Sequence, residues 1–132
     1  MSLQEESKKL SELFDNVSNL IRHAEQTLKD KKINIPFSYL VNEDCDKDGK
    51  IEYHISWDKE DISKEFRLCT TIINKYSTRK EILINTSIEI RIHLVKYLPI
   101  FIIAFTSMIK EMRKGIEESS ISLNKLLEEI GE

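Results

Sequence analysis

Hydrophobic positions divide the chain into three parts with different periods. In the first part, residues 1–30, apolar side chains recur every three or four residues and form one stripe of a predicted helix. In the second part, residues 33–85, apolar and polar residues alternate, as they do in half-buried strands. In the third part, residues 87–131, the helical spacing returns. The stripe of the first helix contains Leu10, Leu13, Phe14, Val17, Leu20, Ile21, Ala24 and Leu28.

The alternating part predicts a β-meander. Its apolar runs place strands at residues 33–41, 51–57, 65–74 and 80–85, with polar loops between them, the first at residues 42–50. Pro36 suits an edge strand because proline has no N–H to donate to a neighbour. Strands joined by short polar loops are typical of an antiparallel sheet. We therefore expect one α+β domain: an N-terminal amphipathic helix, a three- to four-stranded antiparallel meander, and C-terminal helices packed on one face of the sheet.

The most apolar stretch, residues 87–112, begins with two competing periods. Ile88, Ile90, Ile92 and Leu94 alternate with polar residues, as in a fifth strand. A helix is favoured because Ser87 is a good N-cap residue and Glu89 would lie in the first turn, where the helix dipole favours a carboxylate. Both structures remain open for residues 87–98.

Pro99 should kink this stretch or lie in the first turn of a second helix. Residues 98–109 are apolar on all sides, but Lys96 and Lys110 bracket a segment shorter than the roughly 20 apolar residues of a bilayer span. A core helix and no membrane contact are therefore expected. Residues 110–131 fit one long helix or two shorter ones. From Ile109 onward, apolar side chains follow a seven-residue repeat that is interrupted at Ser119: Ile109, Met112, Ile116, Leu123, Leu126 and Ile130.

Both terminal segments carry more apolar surface than one small sheet can cover. The first helix also keeps part of a seven-residue repeat, although a helix simply packed on a sheet explains that pattern too. A second copy or another protein would close the remaining surface. We therefore expect a homodimer and take Leu10, Val17, Ile116 and Leu123 as its interface candidates.

Composition and charge narrow the classes of function. The chain has 132 residues, is 33% charged and carries a net charge of -3, which gives no basic field for nucleic-acid phosphates. Its first residues lack the apolar core of a secretory signal, and Cys45 and Cys69 have neither disulfide-framework nor zinc spacing. A reduced, cytoplasmic location is the expectation, without nucleic-acid partners.

Residues 44–52 resemble the first part of an EF-hand calcium loop. Asp44, Asp46 and Asp48 lie at alternate positions, Gly49 follows, and Glu52 is the ninth residue. The twelfth position, which should supply a bidentate carboxylate, is Ile55, and strand patterns flank the loop. A hairpin turn is the favoured interpretation. Weak Ca²⁺ binding is the alternative, and no other cofactor is expected.

An active site would have to be assembled from His54 and Cys69. The predicted strands place both on the sheet face opposite Tyr53, where a histidine could activate the thiol as a nucleophile. No nucleophile elbow, phosphate-binding glycine loop or histidine pair supports this chemistry. The sequence therefore favours a non-catalytic protein.

Three functions follow as expectations. The first is a small interaction or regulatory module that self-associates through its helices. The second is an acidic inhibitor, immunity or secretion-chaperone-type protein that captures one specific partner. The third is a small-ligand-binding protein or enzyme that uses a cavity near His54 and Cys69.

Overall fold

A computed structural model describes residues 2–131 and confirms the α+β class. The order of elements is helix α1 (Leu3–Asp30), strands β1 (Phe37–Asp46), β2 (Gly49–Lys59), β3 (Phe66–Ile73) and β4 (Thr78–Ile82), a 3-10 turn (Leu83–Asn85), and helices α2 (Ile88–Val95) and α3 (Leu98–Gly131). The residues up to Phe101 form one compact unit, and the rest of α3 from Ile102 forms a second. The expectation of a single domain stays a prediction.

The four strands form one antiparallel sheet in the order β1-β2-β3-β4, the predicted meander. Trp57 of β2 lies opposite Phe37 of β1 and Leu68 of β3, so the three side chains share one face. Ile55 and Thr70 continue this face. It supplies most of the buried sheet residues, and the helices cover it.

Local signals explain where the helices begin and end. Ser2 accepts a hydrogen bond from the backbone N–H of Glu5 at 3.1 Å and caps α1. Ser87 caps α2 in the same way, which confirms the helix and excludes the alternative of a fifth strand. At the end of α1, Lys32 donates to the Lys29 carbonyl and adopts a left-handed φ of 54°, as the residue after a helix often does.

The prediction of a polar loop at residues 42–50 is wrong. Residues 42–46 belong to β1, which pairs with β2 as far as Asp46 opposite Gly49. Only Lys47 and Asp48 remain for the turn, because Gly49, at a φ of 116°, closes a tight hairpin. β1 also begins four residues later than predicted, and residues 83–85 form a 3-10 turn instead of the end of β4.

The last helix is continuous from Leu98 to Gly131, so Gly115 and Ser119 do not divide it. Pro99 lies in its first turn, where a missing N–H costs nothing. Residues 98–109 were expected to be buried on all sides. Leu98 and Phe101 are buried, but the other side of this helical segment is exposed, so the expectation is wrong there. Ile103 is 67% exposed.

A buried carboxylate joins α1 to the sheet. Glu25 accepts hydrogen bonds from Arg67 at 3.0 Å and from the backbone N–H of Leu68 at 2.9 Å. A carboxylate is tolerated in this buried position because both donors face it. Glu25 lies four residues after Ile21, at the edge of the apolar stripe, but the sequence pattern does not identify Arg67 and Leu68 as its partners.

Aromatic contacts join α2 and the first turn of α3 to the same face of the sheet. The His93 ring of α2 packs edge-on against Tyr53 with 4.6 Å between centroids, and Phe101 packs against Phe37 at 5.7 Å. Asn42 donates to the Tyr97 hydroxyl at 2.9 Å. These contacts fix the short α2 across β1 and β2.

Candidate functional site

His54 and Cys69 lie on the sheet face away from the helices, as the strand pattern predicts. His54 is opposite Thr71, and Ser56 is opposite Cys69, so the two side chains are diagonal neighbours. The His54 ring contacts Glu52 at 3.1 Å, whereas the Cys69 thiol donates to the backbone carbonyl of Arg67. Each group is therefore engaged away from the other.

The Cys69 thiol also lacks the environment of a nucleophile. Burial raises its pKa, and the nearby ammonium of Lys80 opposes this effect only in part. Lys80 itself is held by Asp58 at 2.6 Å across the same face. A groove of about 400 Å³ borders Cys69 and Lys80, but His54 does not line it. The geometry offers no activated Cys–His pair.

The four carboxylates of the calcium-like loop do not converge. Asp44 lies opposite Ile51, while Glu52 lies opposite Glu43, so Asp44 and Glu52 point to opposite faces of the hairpin. Asp46 accepts a hydrogen bond from the backbone N–H of Asp48, a polar turn contact. Within residues 2–131 no group of three potential ligands could hold a metal ion.

A basic pocket, which the sequence pattern does not suggest, lies beside the end of α1. It has a volume of about 560 Å³ and is bounded by the aromatic pair Trp57 and Phe66, whose rings stack at 5.8 Å. The Trp57 ring nitrogen donates to the Ile33 carbonyl at 2.7 Å and fixes the segment after α1. Four lysines from three separate segments line the pocket: Lys29, Lys32, Lys59 and Lys64.

The signal that could have found this pocket is weak. Lys29 and Lys32 follow the usual placement of cations at a helix C-terminus. Lys59 and Lys64 belong to a charged connection with acidic neighbours, which looks like an ordinary solvated loop. The hydrogen bond from Trp57 to the Ile33 carbonyl brings the end of α1 beside β2, and so brings the two groups of lysines to one place.

The predicted seam of α3 is exposed along its second half. Every described residue from 110 to 131 is exposed, including Ile116 at 63% and Leu123 at 56%. Between these two side chains, Gly115, Ser119 and Ser120 leave a shallow groove of about 440 Å³. An apolar row of this length on one helix is what a partner helix covers.

The two candidates on α1 differ from each other. Leu10 is half exposed, whereas Val17 is half-buried beside Ser18 and Ile21, which face the core. The α1 stripe is therefore wider than the surface that it buries in the compact unit. Its exposed leucines are Leu3, Leu10, Leu13 and Leu20.

None of the described helices alone is long and apolar enough to span a membrane; α2 and α3 taken together, with a bend at the break between them, meet that criterion by length and composition only.

Comparisons with protein-family models, with curated proteins and with solved structures find no match for this chain.

Proposed function

We propose that the protein is a non-catalytic interaction module that self-associates through the second half of α3. The observation that supports it is the exposed apolar seam Met112, Ile116, Leu123, Leu126 and Ile130, which follows a seven-residue repeat along one helix. Full burial of one such side chain is worth about 1.5–3 kcal/mol. A seam of five therefore offers a large gain to whatever covers it.

The charges along α3 favour an antiparallel pair of copies. Residues 110–114 hold three cations and one carboxylate, and residues 117–129 hold four carboxylates and one cation. A parallel pair in register would place like charges at the same level. An antiparallel pair places the basic end of each helix beside the acidic end of the other, and the two helix dipoles also oppose each other favourably.

The spacing of the seam suggests one register. If the two helices cross near residue 121, Met112 meets the partner's Ile130, Ile116 meets the partner's Leu126, and Ser119 meets the partner's Leu123. Leu123 of each copy would then enter the hollow that Gly115, Ser119 and Ser120 of the other copy leave beside Ile116. The paired segment coincides with residues 112–130, all of which are exposed in the single chain.

The first experiment measures mass in solution. We expect native mass spectrometry and light scattering to show a dimer for the natural chain. The double variant Ile116→Glu with Leu123→Glu should shift it to monomer, weakening association by at least about a hundredfold, since each change buries an unpaired carboxylate. Ile121→Glu is the matched control, because Ile121 is 66% exposed but lies outside the seam.

A natural chain that stays monomeric at high concentration would overturn the proposal. In that case tight one-to-one capture of a basic protein would favour the inhibitor or chaperone function. If the double variant remains a dimer and the Leu10→Glu variant is a monomer, the interface lies on α1 instead.

The second experiment measures orientation by spin-label distances in a Cys45→Ser background. In an antiparallel pair crossing near residue 121, labels at Ile121→Cys lie at the same level along the axis, whereas labels at Lys114→Cys are offset by about 21 Å along it. The label distance should therefore be clearly longer at position 114, and position 128 should match position 114. Equal distances at positions 114 and 121 would establish a parallel pair and refute the orientation without removing the dimer.

A further inference from the structure

The basic pocket beside the end of α1 collects positive charge that the rest of the chain does not have. Four lysines and one carboxylate, Glu65, line it, so its local charge is +3 in a protein of net charge -3. None of the four ammonium groups lies in an ion pair with any residue from 2 to 131. The Lys59 ammonium group lies 5.8 Å from the centre of the Phe66 ring.

Like charges gathered around one cavity repel each other, and an anion between them removes the repulsion. The negative end of the α1 dipole accounts for Lys29 and in part for Lys32. It does not account for Lys59 and Lys64, which arrive from β2 and from the connection to β3. An anionic ligand would account for all four together, because lysine ammonium groups bind phosphate oxygens as point charges.

The backbone supports a functional role for the same lysines. Only two residues other than glycine among residues 2–131 have positive φ, Lys32 at 54° and Lys64 at 61°, and both line this pocket. A side chain in this conformation costs about 1–2 kcal/mol, which glycine would avoid. A function of the ammonium group, which glycine lacks, would explain why both positions hold lysine.

The shape of the pocket indicates a small ligand. Its volume of about 560 Å³ lies within the usual range for small-molecule sites, roughly 300–1,000 Å³. One wall is apolar, since Trp57 is buried and stacks on Phe66. We propose that this pocket binds a small phosphorylated ligand, with the lysines on its phosphate groups and the non-phosphate part against Phe66.

Titration calorimetry with inorganic pyrophosphate, at physiological ionic strength, tests the proposal. We expect saturable one-site binding that weakens about tenfold or more in Lys32→Gly and in Lys64→Gly, since a hydrogen bond to a charged group is lost. Thermal unfolding of both variants should be unchanged or raised, because glycine relieves the left-handed backbone. Lys125→Gln, an exposed lysine of α3, is the control and should bind normally.

Several outcomes would overturn the proposal. The first is no measurable binding of pyrophosphate, and the second is unchanged affinity in both glycine variants. Equal affinity for sulfate would show general anion attraction and no phosphate site. Stronger competition by a short single-stranded oligonucleotide than by pyrophosphate would replace the small ligand with a nucleic acid. None of these results depends on the oligomeric state, so the ligand proposal and the α3 interface proposal are tested independently.

Discussion

Single residues decide the chemistry that this protein can perform. Cys69 has the residue type of a nucleophile and a histidine on the same sheet face, yet it is buried and donates to a backbone carbonyl. The register of the neighbouring strand places the histidine near Cys69, but no contact from that strand activates the thiol. At this scale, residue type suggested a reaction that the surroundings of the side chain do not support.

The two cysteines provide an internal test of that conclusion. In a Cys45→Ser background, Cys69 should react with iodoacetamide near pH 7 more slowly than Cys45 does in a Cys69→Ala background. We expect a difference on the order of a hundredfold, because Cys69 must become exposed by local opening and its raised pKa lowers the thiolate fraction. Both rates are measured by mass spectrometry.

If Cys69 instead reacts rapidly, and if His54→Gln slows that reaction, the result would support a catalytic pair of these two residues. That substitution is informative because His54 contacts Glu52 and its replacement leaves the Cys69 hydrogen bond unchanged.

At the scale of elements, the strand and helix patterns were reliable where one period dominated. The predicted α1 matches Leu3–Asp30, because its apolar spacing and its cap agree. The hairpin between β1 and β2 was shorter than predicted because polar residues in an exposed edge strand look like a loop. Asn42 to Asp46 satisfy their backbone through pairing with β2, which no local pattern reports.

The joint between α1 and the sheet depends on the Glu25 carboxylate. We expect Glu25→Ala to lower the free energy of unfolding by about 3 kcal/mol, since it leaves Arg67 and the Leu68 N–H facing an empty, buried position. Glu25→Gln should cost less, because the amide oxygen still accepts from Leu68. Urea unfolding at one fixed protein concentration measures both.

Glu43 provides the matched control, because its ion pair with Lys50 is exposed on the hairpin. Glu43→Ala should leave the free energy of unfolding nearly unchanged, because water screens an exposed ion pair. Equal costs at Glu25 and Glu43 would mean that the buried carboxylate does not hold α1 to β3.

At the scale of the whole molecule, two of the exposed surfaces suggest what they bind. The α3 seam is apolar and repetitive, which suits another helix, and the pocket at the end of α1 is basic and concave, which suits a small anion. A module that pairs through one surface and binds a ligand through the other would be regulatory in character. A cytoplasmic location and a protein partner other than itself stay predictions.

The sequence by itself determined the elements, their order and the antiparallel meander, because hydrophobic period, caps and turn residues act over a few positions. It also marked the α3 seam, since a seven-residue repeat is visible without a partner. Only the tertiary structure decided that Glu25 is buried, that the calcium-like carboxylates face apart, and that lysines distant in sequence surround one pocket. The contacts of Glu25 and the lysine pocket join segments that are distant in the sequence, and the placement of the carboxylates depends on the register of the β1–β2 hairpin. Local pattern determines neither.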